Sequence, residues 1–350
     1  TLLLCLFLVA TMKMRAGEEN GLQPVKLPLL PLDSLLSYVI GSVDTMKGDY
    51  QQKIRMGAEL YQRAAATGDA RLVVRATDMR ARIEYSHYHL DSALSLMEEA
   101  ITGYDSLGEA KYKANALNFL GIIHDDLGFY SLAMASYNEA LRYFKQMKDT
   151  AGLMMLLNNI AITQENLGNY QQALDFQKEQ LAYALLLNDS SSQALALISI
   201  GSIHAAWSNY PLATEHYLQA LTRYTELGDE DGIAWTLNHL GNLYLDWKNL
   251  PRAESYYDEA LAIYQKLDNV VGQAKVLNNL ALVYHDLGQM DSALAYYQRS
   301  LEMEYRHGDI KGIAESMLNL GEFYLDLDRY DEALDRFQEA LDGFTFMNNP

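Results

Sequence analysis

The sequence predicts an all-α superhelix, a solenoid of about eight helical hairpins. The 350-residue chain matches itself at a shift of 40 residues from its first third to its end. Within each unit, apolar residues recur at the three- and four-residue spacings of a buried helical stripe. Only 22 glycines and 6 prolines are present, and three of the prolines fall within residues 24–31, so the rest of the chain has few helix breakers.

The first residues are not part of the repeat. Residues 1–10 read TLLLCLFLVA, an apolar run about as long as the core of a secretory signal and too short to cross a bilayer. We therefore interpret residues 1–16 as a signal-peptide-like leader and residues 17–33 as a proline-containing linker. This predicts an exported protein, periplasmic or membrane-associated; if the leader is not a signal, the protein is cytoplasmic. The only cysteine, Cys5, lies in the leader, so a processed chain would contain no disulfide.

The repeat begins at Ser34 and is marked by columns of small residues. One column consists of Gly41, Ala81, Gly121, Ala161, Gly201, Gly241, Ala281 and Gly321. Counting from Ser34 gives the units 34–73, 74–113, 114–153, 154–193, 194–233, 234–273, 274–313 and an incomplete 314–350. The last helix would leave Leu334, Phe337, Leu341 and Phe344 without a successor to cover them. Terminal repeats normally carry a polar cap, so we expect the natural protein to continue.

Each unit contains two helical stripes. In the third unit, Leu117, Gly121 and His124 lie on the first stripe, and Ala133 and Tyr137 lie on the second. The segment 127–130 separates them as a turn. At such turns, Gly128, Gly168 and Gly288 suit a residue with positive φ past a helix end, and Pro211 and Pro251 suit a first helical turn. A small residue on each helix allows the two backbones to approach closely, and the bulky residue fills the adjoining space. A single hairpin cannot bury its own apolar face, so consecutive hairpins are expected to stack.

The segment LNHLGNLY at 237–244, followed by Ala253, Tyr257 and Ala260, resembles the tetratricopeptide repeat (TPR). The resemblance covers residues 34–350, although the 40-residue period is longer than the usual ~34. The long form is similar to the repeats of cell-polarity adaptors, kinesin light chains and bacterial peptide sensors, which implies a protein-binding or peptide-binding scaffold. The chain also resembles the sensory region of Bacteroidetes-type TPR regulators. That alternative implies a signal transducer whose output domain, a histidine kinase or a DNA-binding transcriptional regulator, lies beyond residue 350.

In the resembled families the exposed side of the first helices lines a concave groove, and three columns of this sequence fall there. The first polar column contains Asn118, Asn158, Asn238 and Asn278; the second polar column contains Asn159, His239, Asn279 and Asn319; the acidic column contains Asp126, Asp246, Asp286 and Asp326. Asparagine is a mediocre helix former, and its amide both donates and accepts, which suits the main chain of an extended peptide. The alternative is that these amides bond one another and brace the stack. The carboxylates of the acidic column either line the rim of the groove and pair with lysine or arginine of a ligand, or are solvated residues at helix ends.

The fifth unit interrupts the polar columns with small or apolar residues, and we interpret this gap as a seat for a ligand side chain; its members are Ile198, Ser199, Ser202, Ala205 and Ala206. The formal net charge of −19 disfavours nucleic acid as a partner. The sequence contains no glycine-rich phosphate loop and no nucleophile elbow. We therefore expect no enzyme activity, no catalytic residue, no metal site and no cofactor, and a protein or peptide as the partner.

Overall fold

The computed structural model describes residues 50–308 and 310–348, and this part of the chain folds into fifteen α-helices. Their bounds are α1 Tyr50–Thr67, α2 Ala70–Tyr85, α3 Leu90–Ser106, α4 Ala110–Asp126, α5 Tyr130–Met147, α6 Thr150–Asn166, α7 Tyr170–Leu186, α8 Ser190–Ala206, α9 Tyr210–Leu227, α10 Glu230–Asp246, α11 Leu250–Lys266, α12 Val270–Asp286, α13 Met290–His307, α14 Ile310–Asp326 and α15 Tyr330–Asn348. The all-α prediction is confirmed. The leader, the linker and residues 34–49 lie outside the described residues.

After α1, the helices form seven hairpins, each with an even-numbered first helix and an odd-numbered second helix. The first helices from α2 to α12 begin after an acidic or amide residue. The Asp149, Asp189 and Asp229 side chains accept the backbone N–H of the third residue beyond them, at 3.0 Å in each case. These caps place the helix starts four residues before the unit boundaries counted from Ser34. Both helices of the last hairpin are therefore present.

The turns between the helices have the chemistry that the sequence indicates. Gly128 and Gly288 follow helix ends with φ of 75° and 71°, as predicted, and Ser208 adopts the same left-handed conformation at the equivalent turn. Pro211 and Pro251 lie in the first turns of α9 and α11. The chain therefore reverses direction at the positions predicted from its turn residues.

Close approach of the two helices in a hairpin explains the small-residue columns. A Cβ atom at Gly121 would lie 2.2 Å from the Tyr137 ring, and one at Gly241 would lie 2.4 Å from the Tyr257 ring. Ala133 is fully buried on the opposing helix. The interior of the described stack is filled by these aromatic rings, and one buried cluster runs without interruption from α8 to α12.

The first helices form the inner side of the stack. Direct contacts join α4 with α6, α8 with α10, α10 with α12 and α12 with α14, whereas consecutive second helices of the described part have no contacts of comparable extent. The stack is therefore tighter along the first helices, and their exposed side is the concave surface. We call it the inner surface.

No helix among the described residues is long and apolar enough to span a membrane.

Candidate binding surface on the first helices

Each first helix presents one stripe to the inner surface. On α10 the stripe contains Trp235, Asn238, Asn242 and Asp246, which follow one another at three- and four-residue spacings and so share a helix face. Trp235 and Asp246 are about 16 Å apart along the helix axis. Because the neighbouring helices carry equivalent stripes, the inner surface is divided into bands that run across the helices.

The second polar column braces the stack. The Asn159 amide nitrogen donates to Asn118 Oδ1 of the preceding first helix at 2.9 Å. Asn279 donates in the same way to Asn238 Oδ1 and to Asn242 Oδ1, both at 3.0 Å. All five side chains are partly buried. The bracing interaction considered for these amides is thus present between α4 and α6 and between α10 and α12.

The first polar column has different contacts. Asn118 Oδ1 and Asn238 Oδ1 accept the hydrogen bonds from the second polar column. Asn158 Oδ1 accepts a hydrogen bond from Gln177 at 3.0 Å. Within the described part of the chain, no hydrogen bond is donated by the amide nitrogens of Asn118, Asn158, Asn238 or Asn278. This column therefore presents partly buried donors along the inner surface, the arrangement that a peptide carbonyl requires.

His239 occupies the second polar column of α10 and is held by aromatic rings. Its ring centroid lies 5.0 Å from that of Trp235, edge to face, and 5.6 Å from that of Tyr217 on α9. Burial lowers the pKa of His239 to about 4, so the imidazole is neutral at physiological pH. Asn319 is partly buried at the equivalent position of α14.

Three members of the acidic column contact the preceding hairpin. Asp126 accepts a hydrogen bond from the Tyr85 hydroxyl at 2.7 Å. Asp286 pairs with Lys248 at 2.8 Å, and Asp326 lies 3.4 Å from His285 Nε2. Asp246 is exposed as a residue, although partial desolvation of its carboxylate raises its pKa. The acidic column thus consists of exposed carboxylates, three of which link consecutive hairpins.

An apolar band was missed by the sequence analysis. Met155, Leu195 and Trp235 occupy equivalent positions on α6, α8 and α10, and they are 55%, 40% and 36% exposed. The same position holds Asn115 on α4 and Lys275 on α12, so the band is confined to three consecutive helices. The sequence does contain an indication of this band: three apolar residues lie three positions before the first polar column, outside the buried stripe.

Glu165 was also missed. It lies near the end of α6, one position before the acidic column, and its carboxylate is partly buried. No ion pair of Glu165 is present among the described residues. Burial raises the pKa of Glu165, and burial also raises the pKa of Asp125 at the equivalent position of α4, where Asn166 donates to the carboxylate at 3.2 Å. Two adjacent inner helices thus carry incompletely solvated carboxylates.

The structure does not leave all of the gap in the fifth unit open to a ligand side chain. Ile198 is 2% exposed and belongs to the buried cluster, so it is not available to a ligand. Ser199 is partly buried, and Ala206 is exposed beyond it. The apolar surface of α8 is instead provided by Leu195, one helical turn earlier. Ile198 is buried because the first polar column faces partly toward the neighbouring helix.

The family model for the tetratricopeptide repeat matches three overlapping segments of the chain, residues 192–266, 232–304 and 272–345. The model for anaphase-promoting complex subunit 5 matches residues 72–167. No curated protein matches the sequence.

Several solved structures have a similar fold. The quorum sensor NprR from B. thuringiensis, in its apo form, is 16% identical over 96% of this chain and 95% of its own, with a TM-score of 0.62. The Rap conjugation gene regulator of the plasmid pLS20, in complex with the Phr* peptide, is 15% identical over 79% of this chain and 75% of its own, with a TM-score of 0.56. BtubC from P. vanneervenii is 25% identical over 63% of this chain and 91% of its own, with a TM-score of 0.50.

Proposed function

Because the chain is a tetratricopeptide repeat protein, we propose that it binds a protein or peptide partner along the inner surface of its first helices. The observation that carries this proposal is the first polar column, whose amide nitrogens lie along the inner surface and donate to no acceptor among the described residues. A folded stack needs no such donors there, whereas the main chain of a bound segment supplies the matching carbonyls. The similarly folded Rap regulator in complex with the Phr* peptide supports a peptide as one kind of ligand.

On this proposal the protein acts as a non-catalytic scaffold. Among the described residues no group of three or more His, Cys, Asp or Glu side chains is placed to hold a metal ion. The net charge of −19 opposes nucleic acid and favours a partner with basic character. Export through the leader would place this partner outside the cytoplasm.

A second candidate function is the sensory region of a signal transducer. It is favoured by the similarity in fold to the quorum sensor NprR, which extends over nearly all of the described residues. In this case ligand binding on the same surface would be coupled to an output domain encoded beyond residue 350. The genomic sequence that follows this segment tests the idea: a continuing frame with a kinase or DNA-binding domain supports it, and a stop codon directly after residue 350 contradicts it.

The binding proposal is tested by selecting a random peptide library on the immobilised protein. We expect enriched peptides whose affinity falls about tenfold or more in the double variant Asn158→Ala/Asn238→Ala. The matched control is Asn138→Ala, which removes an amide from the exposed face of α5 and should leave the affinity unchanged. Failure to enrich any peptide, or equal affinity for both variants, would contradict the proposal.

A further inference from the structure

We propose that the inner surface of α6, α8 and α10 selects an extended segment in which large apolar residues alternate with lysine or arginine. The segment would place its apolar side chains on the apolar band and its cations on the carboxylates at the C-terminal ends of α6 and α10. This inference rests on the proposed function and specifies the chemistry of the partner.

The apolar side of the site is specific to these three hairpins. Met155, Leu195 and Trp235 form a row of exposed apolar side chains on a surface that is otherwise polar at this level, since Asn115 and Lys275 lie on either side of the row. Scattered single apolar residues on a surface need no explanation, but these three recur at equivalent positions of consecutive first helices.

The opposite side of the site is acidic, and the described cation that acts on Asp246, Lys248 just beyond α10, is already paired with Asp286. The helices α6, α8 and α10 contain no lysine or arginine, and their C-terminal ends carry Glu165 and Asp246. Both carboxylates are partly desolvated, and Glu165 has no ion-pair partner among the described residues. A carboxylate in this position opposes the helix dipole and is costly to the fold, whereas a ligand cation would offset that cost.

The dimensions favour an extended segment. The apolar band and the carboxylates lie about 15 Å apart along α6 and about 16 Å apart along α10, whereas α8 carries no carboxylate. In an extended strand, successive side chains project to opposite edges, so the apolar side chains on one edge and the lysines or arginines on the other point toward opposite ends of the helices. The main chain would then lie over the first polar column, where Asn158 and Asn238 present donors. Three helices at about 10 Å spacing correspond to about ten residues of extended chain.

The sequence provides a reporter for this site. Trp235 lies in the apolar band, whereas Trp207 and Trp247, the other two tryptophans of the chain, lie at the turns and stack on Tyr170 and Tyr210. The double variant Trp207→Phe/Trp247→Phe therefore leaves Trp235 as the only tryptophan. Its emission reports occupation of the apolar band directly.

The experiment compares two dye-labelled synthetic peptides of about ten residues. One alternates leucine and lysine; the other has the same composition with all leucines before all lysines. Both are used at concentrations where they are monomeric. We expect the alternating peptide to bind at least about tenfold more tightly by fluorescence anisotropy, to shift the Trp235 emission and to dissociate as salt is raised. Equal affinity for the two peptides, or no binding of the alternating one, would overturn the inference.

Two variants with matched chemistry complete the test. Glu165→Gln should weaken the alternating peptide about tenfold, whereas Glu259→Gln, which removes an exposed carboxylate from α11, should have little effect. Equal effects of the two substitutions would show that only net charge matters and would overturn the inference. The library selection distinguishes this outcome from failure of the proposed function. If selected peptides bind through Asn158 and Asn238 but lack an alternating pattern, the proposed function is supported and only the further inference fails.

Discussion

At the scale of single residues, the fold depends on the absence of side chains at particular positions. Gly241 faces the ring of Tyr257, whose hydroxyl donates to Asn242 Oδ1 at 2.6 Å. The ring therefore fixes both the distance between α10 and α11 and one amide of the inner surface. A group added at Gly241 would displace the ring and break this link.

We expect Gly241→Val to lower the stability of the protein by about 2 to 3 kcal/mol through overpacking, after the gain from replacing a helical glycine is subtracted. Chemical denaturation followed by circular dichroism measures the change. The control is Gly168→Asn, at a turn with φ of 74° and open space around the added group, where the loss should stay below about 1 kcal/mol. An unchanged stability of Gly241→Val would contradict this prediction, because it would show that α10 and α11 can move apart with no loss of free energy of unfolding.

A second prediction at this scale concerns Glu165. Burial raises its pKa above the value in the unfolded chain, so ionisation opposes folding, and the contribution of this group to stability declines as the pH rises through the folded-state pKa. At neutral pH we expect Glu165→Gln to melt at a higher temperature than the wild type. The difference should vanish below about pH 4, where the carboxyl group is protonated in both states. A variant that is less stable at neutral pH would contradict the account.

At the scale of helices and hairpins, pairs of polar residues fix the relative position of packed helices, which apolar contacts alone do not specify. The second polar column illustrates this, because its bonds connect residues 37 or 41 positions apart on consecutive first helices. His204 on α8 and His216 on α9 form another such pair, with parallel rings whose centroids are 5.5 Å apart.

Substitution of neighbouring asparagines should separate bracing from ligand contact. Asn279 donates two hydrogen bonds to α10, so Asn279→Ala should cost about 1 to 2 kcal/mol of stability. Asn278 donates none among the described residues and has a buried oxygen without a hydrogen-bond partner, so Asn278→Ala should cost clearly less. Denaturation of the two variants side by side measures the difference. Equal losses would mean that the two polar columns do not differ in structural role.

The histidine pair should make the stability depend on pH. Burial lowers the pKa of both His204 and His216, and the charges of His216 and Lys178 lower that of His204 further, while Glu215 acts in the opposite direction on His216. The unfolded chain therefore takes up protons first, and stability falls as the pH drops below about 6.5.

We expect the melting temperature of His204→Asn to fall less than that of the wild type between neutral and mildly acidic pH. His307→Asn, at an exposed position, is the control and should follow the wild type. Identical pH profiles for all three proteins would exclude the pair as a source of the pH dependence.

At the scale of the whole molecule, stability arises from contacts between neighbours in the stack. The buried cluster from α8 to α12 connects several hairpins, whereas α15 packs on α14 and leaves Leu334 and Leu341 66% and 57% exposed. Such a chain has no single central core, and its hairpins need not unfold together.

Hydrogen exchange measured by mass spectrometry should show this gradient. Amides in α9 to α11 are expected to exchange most slowly, and those in α15 are expected to exchange faster by about tenfold or more, because local opening of α15 exposes less apolar surface. Uniform protection along the described helices would indicate one cooperative unit and would contradict the nearest-neighbour description.

Much of the architecture could be predicted from the sequence because its determinants are local. The 40-residue period, the small-residue columns and the turn glycines each specify a helix, a close contact or a chain reversal within one hairpin, and the described helices confirm them. The identity of the inner-surface columns followed from the same periodicity. Their contacts did not, since adjacent positions of one helix can face either a neighbouring helix or solvent.

The sequence by itself determined that this protein is a stack of helical hairpins with polar columns on its first helices, because helix periodicity and residue size act within each repeat. Only the tertiary structure decided that Asn279 reaches the preceding helix, that Ile198 is buried and that Met155, Leu195 and Trp235 remain exposed. These outcomes depend on the angle and distance between hairpins far apart in sequence. No single repeat contains that information, because the inner surface exists only once the repeats have stacked.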